Sequence, residues 1–244
     1  MTATESAIAS LKRRRAKIED DLTTRGRAHT YSLARYNLHQ MLTAEIKEHV
    51  RGHCLDAGAG RGPFQALLRR VATSVTAIDV TERPGITDAV GDVQSMPEFA
   101  NESFDSLICS QVLEHVPRPW DAFAEFARVL KPGGMAIISV PHLSMIHEAP
   151  HDYYRYTEYG LKSLAEQSGF SVVDICPTGG LISFLGHFVS QVTMTTAGGL
   201  PIIGGLFRLF NLIGLVYLLS LLDRLGGLRM LFPCDYCAVF QKKK

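Results

Sequence analysis

A glycine-rich turn set between two apolar runs constrains this chain more than any other feature. The stretch Leu55-Asp56-Ala57-Gly58-Ala59-Gly60-Arg61-Gly62 follows His53-Cys54-Leu55-Asp56, which reads as a strand. It precedes Phe64 to Val71, which reads as a helix. Glycines at such a junction let the backbone approach a ligand closely, and the helix N-terminus behind them adds converging N–H groups. Ser74 to Asp79 reads as a second strand, and it ends in a carboxylate about twenty residues beyond the turn, where an acid can accept hydrogen bonds from ribose hydroxyls. Turn and acid together describe a nucleoside-containing cofactor at the C-terminal edge of a sheet.

The flanking pattern supplies that sheet. Further strands are predicted near Asp88 to Val90 and over Phe104 to Ser110, Met135 to Val140, Phe170 to Cys176 and Asp235 to Gln241. Helical spacing covers 31–49, 121–130 and 158–168. Strands alternating with helices imply an α/β fold with a mostly parallel sheet covered on both faces. The predicted organisation is an N-terminal helical extension over 1–49, an α/β domain over 50–180 and 233–244, and an insertion over 181–232. The extension begins with a polar helix over 5–22 that carries Lys12-Arg13-Arg14-Arg15 and Lys17.

A dinucleotide fingerprint would read G-x-G-x-x-G, whereas this turn is G-x-G-x-G. Gly91-Asp92-Val93-Gln94, Ser103-Phe104-Asp105, Gln111-Val112-Leu113-Glu114-His115-Val116 and Leu130-Lys131-Pro132-Gly133-Gly134 then follow in order. In this ordered set the chain resembles the class I S-adenosylmethionine-dependent methyltransferases, in particular the type 11 subgroup. The resemblance spans about residues 50–176 and the last strand. It implies a Rossmann-like, seven-stranded sheet with the last strand antiparallel. It also implies S-adenosyl-L-methionine as cofactor, held at its methionine end by Asp56, Gly58 and Gly60 and at the ribose by Asp79. Asp92 would meet the adenine amino group with Val93 beside the ring, and Ser110 and Gln111 would line the sulfonium end. Leu130 to Gly134 would form the turn into the fifth strand. A dehydrogenase has no place for that last motif. The segment between Asp79 and Asp88 is short and holds Pro84 and Gly85, so the helix usual there is expected to shrink to a turn.

Methyl transfer from a sulfonium is an in-line displacement in which positioning supplies much of the acceleration, and a base is needed only if the acceptor must lose a proton. Candidates for that side lie after the fifth strand, in Pro141 to Thr157: His151 or His147 as base, Tyr153 and Tyr154 facing the acceptor, Arg155 holding an anion. The structural alternative has Tyr154 and Tyr156 packing the loop, Asp152 capping it and Arg155 paired with an acid. His115, after Glu114, is a second candidate base or a loop-ordering residue. No metal site is expected, because His142, His147 and His151 lack a helical i, i+4 pair with a clear third ligand. Cys234-Asp235-Tyr236-Cys237 has no second pair and reads as strand packing.

Composition matters chiefly for the insertion. Residues 181–232 hold four charges, Arg208, Asp223, Arg224 and Arg229, in 52 positions. The seventh strand must rejoin the sheet, so membrane crossings here would be even in number. Residues 181–207 are too polar, and 209–222 too few, for full spans of about 20 residues. Two helices broken at Gly198-Gly199, Pro201 and Gly204-Gly205, lying on one leaflet, fit better. The polar residues of the second helix do not gather on one face, which leaves an apolar surface nearly all round. Such a helix must be buried in lipid, in a homodimer, as a lid or in the protein's own core. The basic run at 12–17 and Lys242 to Lys244 would favour an anionic surface.

The substrate class expected is therefore a small molecule that is hydrophobic or lipid-linked. The alternatives are a soluble O- or N-methyltransferase and a catalytically silent cofactor-binding module in a membrane complex. A net charge of +1 argues against nucleic acid as partner. Five cysteines and an N-terminus without an apolar leader point to the cytoplasm, on the inner face of the membrane if there is contact.

Overall fold

The computed structural model describes residues 28–198, Leu200, 203–225 and 231–244, with isolated positions Ser10, Arg13, Lys17, Ile18 and Leu22 before them. Most of the expected helix over 5–22, with Lys12, Arg14 and Arg15 of its basic run, lies outside the described residues, as do Gly199, Pro201 and Arg229. The chain divides into two compact units. One joins residues 1–39 to Thr178–Cys234, and the other joins Gln40–Pro177 to Asp235–Lys244.

The second unit is built on a seven-stranded sheet. Its strands are β1 (His53–Ala57), β2 (Ser74–Asp79), β3 (Ala89–Val90), β4 (Phe104–Ser110), β5 (Leu130–Pro141), β6 (Phe170–Thr178) and β7 (Asp235–Lys242), in the order β3-β2-β1-β4-β5-β7-β6. The pairs β2–β3, β1–β2, β1–β4 and β4–β5 are parallel; β5–β7 is antiparallel. This is a Rossmann-like sheet with its last strand reversed. Leu107-Ile108-Cys109 and Ala136-Ile137-Ile138 are buried at every position, as central strands covered on both faces require. Between β2 and β3 the chain makes only a turn, closed by Ile86 and Thr87 N–H donating to the Arg83 carbonyl at 3.0 Å.

Of the helices, α1 spans Leu33–His49, α2 Gln65–Val71, α3 Pro119–Val129 and α4 Glu158–Gln167. Pro119 opens α3, where its missing N–H costs nothing, and Ala122, Phe123, Phe126 and Val129 form the stripe it buries. Thr157 caps α4 by accepting from the Gly160 N–H at 3.1 Å. One expected detail changes. Leu130 to Gly134 is the first part of β5 rather than a turn before it: Leu130 pairs with Phe104, the register slips, and pairing resumes at Met135 opposite Ser106. The irregularity absorbs Gly133 at φ +81° inside the strand.

In the first unit, α5 (Leu181–Thr196) is followed by α6 (Gly204–Phe210), a π-helical stretch (Asn211–Leu218) and α7 (Leu219–Leu225), which continue one another. Gly204–Asp223 is thereby 20 residues long, enough by length and composition to cross a membrane, where 209–222 alone is too short. The polar residues divide: Arg208 is exposed, while three others gather inside. Asn211, Ser220 and Asp223 are buried, while Leu206, Leu209, Phe210, Ile213, Tyr217, Leu218, Leu221 and Leu222 are exposed. The π stretch bonds i to i+5, so a 3.6-residue wheel puts residues on either side of it at the wrong angle. A similar division holds in α5, where Ser183, Gly186, Ser190 and Gln191 point in and Phe184, Leu185, Phe188, Val189 and Val192 point out.

The buried polar residues are tied together. Asp223 accepts from the Ser183 N–H (3.2 Å), the Ser183 hydroxyl (2.7 Å) and Asn37 Nδ2 (3.4 Å). Gly180 offers α5 no side-chain cap, so a carboxylate from the other helix closes its N-terminus. Asn211 Nδ2 donates to the Tyr31 carbonyl at 3.0 Å, and His187 Nδ1 meets Ser32 Oγ at 2.7 Å. These bonds fasten residues 30–37 to the inserted helices.

Candidate functional site

The turn after β1 carries three glycines at positive φ: Gly58 (+76°), Gly60 (+54°) and Gly62 (+66°). Two of them serve different ends. A Cβ on Gly58 would stand 2.4 Å from Val112 Cγ2, so the turn presses against the loop after β4. A Cβ on Gly60 would meet nothing nearer than a carbonyl oxygen at 4.0 Å, so the space over that backbone is open to a ligand. The Gly58 and Ala59 N–H groups donate to the Ile78 carbonyl, which holds the turn over the end of β2.

Asp56 is the penultimate residue of β1, and Asp79 is the last residue of its neighbour β2. Asp56 is buried, and its Oδ2 accepts from Gln65 Nε2 at 2.7 Å. Burial pushes its carboxyl up to about 6 against the pull of that hydrogen bond, and the charge of Asp79 adds to the push. Asp79 Oδ2 accepts from the Gly60 N–H at 2.8 Å; Oδ1 accepts from the Thr81 N–H at 2.9 Å and faces Arg83 at 3.4 Å. A single carboxylate thus locks the glycine turn to the strand that would carry the ribose. Asp92 is exposed and accepts from the backbone and side-chain nitrogens of Gln94, while Val93 beside it is buried. Ser110 Oγ lies 2.9 Å from Ser139 Oγ. Gln111 adopts φ +56°, rare for a residue with a Cβ, and its buried Nε2 has no hydrogen-bond partner among the described residues. The open cradle over Gly60 and this donor without a partner are what a nucleoside cofactor with a polar amino-acid end would fill and satisfy. The residues present fit S-adenosylmethionine.

On the acceptor side the candidates separate. The His115 ring meets the backbone carbonyl of His151 (2.6 Å), not its imidazole. The exposed ring of His151 turns to the Tyr153 hydroxyl at 3.2 Å. Tyr154 donates its hydroxyl to the Pro117 carbonyl, and Tyr156 donates to that of Leu113, so both brace the loop. Arg155 grips Asp152 with both terminal nitrogens, and that bidentate pair holds the Asp152 carboxyl far below its ordinary range. His147 arrives instead: its ring packs edge-on against His115, centroids 4.8 Å apart, and both face the fully buried Glu114. Sequence reasoning missed Gln65, which no spacing rule marks, and it passed over Glu114 as part of a Glu-His pair. Cys234 and Cys237 are buried free thiols, consistent with packing.

A family model described as a methyltransferase domain matches residues 55–138. An uncharacterized methyltransferase of Mycobacterium avium is 38% identical over 98 residues, covering 35% of this chain and 38% of that protein. A ubiquinone biosynthesis O-methyltransferase of Xanthomonas oryzae pv. oryzae is 38% identical over 98 residues, covering 35% and 41%. The chain thus matches well under half the length of these relatives. The crystal structure of Burkholderia thailandensis 1,6-didemethyltoxoflavin-N1-methyltransferase, with 1,6-didemethyltoxoflavin and S-adenosylhomocysteine bound, superposes with a TM-score of 0.56 at 18% identity, covering all of this chain and 92% of that one. The fold, the methyltransferase domain matched over residues 55–138 and the residues of the glycine turn support a domain similar to the class I S-adenosylmethionine-dependent methyltransferases.

Proposed function

We propose that the chain transfers a methyl group to a hydrophobic or lipid-linked acceptor at a membrane surface. When bound, the cofactor supplies an already activated methyl group. The chain's own part is to hold the methionine end through Asp56 and the glycine turn, to fix the ribose through Asp79, and to keep Ser110 and Gln111 at the reacting end. The helical unit carries the substrate class. Ser183, Gly186, Ser190, Asn211, Ser220 and Asp223 are buried while Phe184, Phe188, Leu206, Leu209, Ile213, Tyr217 and Leu221 are exposed, an arrangement that suits helices whose solvent is lipid. The Xanthomonas relative, named for O-methylation in ubiquinone biosynthesis, agrees with an acceptor of that solubility.

The reading places the protein on the inner face of a membrane, in peripheral contact through 181–232. Of the basic tail, Lys242 is tied to the sheet unit, donating to the Leu130 carbonyl at 2.7 Å and facing Glu102 at 3.3 Å, so electrostatic attraction rests on other residues. The test is label transfer from methyl-labelled cofactor to total lipid extract and, in parallel, to a panel of water-soluble phenols and amines. Label in the lipid fraction supports the reading. Label only in soluble acceptors overturns the substrate class. Cofactor binding with no transfer in either arm points to a silent module.

A further inference from the structure

Glu114, in the turn Leu113–His115 directly after β4, has none of its surface exposed, and among the described residues neither carboxylate oxygen has a hydrogen-bond partner from another residue. A buried carboxyl in that condition costs several kcal/mol unless something compensates it. What faces it are two imidazoles. His115 Nε2 lies 3.7 Å and His147 Nε2 3.9 Å from the same oxygen, Oε1, and the donor atoms of the three residues fall within 4.8 Å of one another.

The tautomers decide what the cluster can hold. His115 Nδ1 is 2.6 Å from the His151 carbonyl, and His147 Nδ1 is 3.1 Å from the Met145 carbonyl. A carbonyl only accepts, so both protons sit on Nδ1, and each Nε2 presents a lone pair toward Glu114. With Glu114 ionised, two lone pairs and a carboxylate converge with no donor among them. That is an acceptor-only pocket, and it calls for a positive centre. Histidine ligands orient in this way when a backbone carbonyl holds the other ring N–H. The Arg155–Asp152 pair pins the loop that brings His147 in: Asp152 Oδ2 accepts the His147 N–H at 2.8 Å. Exposed Glu148, with Oε2 3.9 Å from His115 Nε2, stands at the rim.

We propose that Glu114, His115 and His147 form a divalent transition-metal site. Two imidazoles and a carboxylate suit Zn²⁺, Mn²⁺ or Fe²⁺ rather than Ca²⁺ or Mg²⁺. Metal–ligand bonds of about 2.1 Å put ligand atoms about 3.3 Å apart, so binding draws each Nε2 roughly half an ångström nearer Oε1 and closes the widest pair, now within 4.8 Å, by up to about 1.5 Å. Three protein ligands leave coordination positions for water or for an acceptor oxygen, whose proton such an ion acidifies. Only that last use rests on the methyl-transfer reading; binding of the ion stands without it.

The test uses the full chain stripped of metal by chelator, titrated calorimetrically with ZnCl₂ and separately with MnCl₂, with bound metal counted by elemental analysis. One equivalent of either metal is expected, with affinity reduced at least tenfold in His147→Asn and in Glu114→Gln. S-adenosylhomocysteine binding by each variant serves as the fold control. Should Glu114→Gln fail to fold, His147→Asn carries the test, since that side chain is partly exposed. Absence of stoichiometric binding of both metals, or binding unchanged by the substitutions, overturns the site. Metal bound by a chain that takes up no S-adenosylhomocysteine keeps the site and removes the methyltransferase reading.

Discussion

Asp56 shows what a residue's surroundings add to its place in a motif. Its carboxyl is buried behind the glycine turn with one neutral donor, Gln65, and an acid, Asp79, nearby. The fold raises its pKa from 3.8 to about 6, so the protonated form is the one the ligand-free fold prefers. The stability this confers is complete below about pH 4 and is lost as pH rises through about 6. Asp56→Asn keeps an oxygen for Gln65 and removes the titration. Its melting temperature should match the wild type near pH 4 and exceed it at pH 8, by an amount equivalent to at most about 3 kcal/mol. Affinity for S-adenosylhomocysteine should fall in the same variant. Parallel stability profiles across that range would remove the assignment. Asp56 and Asp79 were legible in the sequence because a strand, a turn and a second strand fix their distance apart. Gln65 was not, because its role depends on the direction in which α2 leaves the turn. Glu114 was legible as an acid but not as a buried one, since its burial is decided by Tyr153 and Tyr154, whose N–H groups donate to the Glu114 carbonyl from a loop far along the chain.

At the level of elements, strand positions were the most legible part. Runs such as Leu107-Ile108-Cys109 carry the burial of a central parallel strand in their composition. The bulged start of β5 was not, because Leu130 pairs with Phe104 only through a register slip that sequence does not display. The contact between the β1 turn and the β4 loop is equally tertiary. Gly58→Ala must place a Cβ at 2.4 Å from Val112 Cγ2 in a backbone at φ +76°. A cost of about 2–4 kcal/mol is expected in denaturant unfolding. Adding Val112→Ala should recover the contact but not the backbone strain, so rescue should be partial. Full rescue would show that φ matters little there. In the helical unit, Asp223 caps α5 from another helix, and Asp223→Ala leaves the Ser183 N–H and the hydroxyl proton without their acceptor in a buried place, while Ser183 Oγ still accepts from Asn37 Nδ2. The expected result is faster amide exchange across Leu181–Met194, equivalent to about 1.5–3 kcal/mol, with exchange in β4 and β5 unchanged. Uniform loss of protection in both would contradict a role confined to that unit.

For the molecule as a whole, the composition averages two patterns of burial. The sheet unit follows water's rule, with Phe123, Phe126 and Phe240 inside. The helical unit follows it only in part: Tyr31, Leu33, Met194 and Val216 are buried, but so are Ser183, Ser190, Asn211 and Asp223, while many of its leucines and phenylalanines are exposed. The low charge of 181–232 was plain from sequence, but the direction of the apolar side was not, because the π stretch breaks the periodicity on which a helical wheel depends. Such a unit predicts a membrane interaction that can be removed without harming the fold. Leu206, Ile213 and Leu221 are 69%, 57% and 58% exposed, so changing them to glutamine disturbs little internal packing. Each buries about 1.5–3 kcal/mol of side chain if it enters an acyl layer. The triple variant Leu206→Gln, Ile213→Gln, Leu221→Gln should therefore lose at least tenfold in co-sedimentation with phosphatidylglycerol–phosphatidylcholine vesicles. Its affinity for S-adenosylhomocysteine should stay at the wild-type value, because the residues that would hold the cofactor all lie in the sheet unit. Equal vesicle binding by both proteins would mean that this apolar side meets something other than lipid. A parallel loss of cofactor affinity would mean that the two units do not act independently.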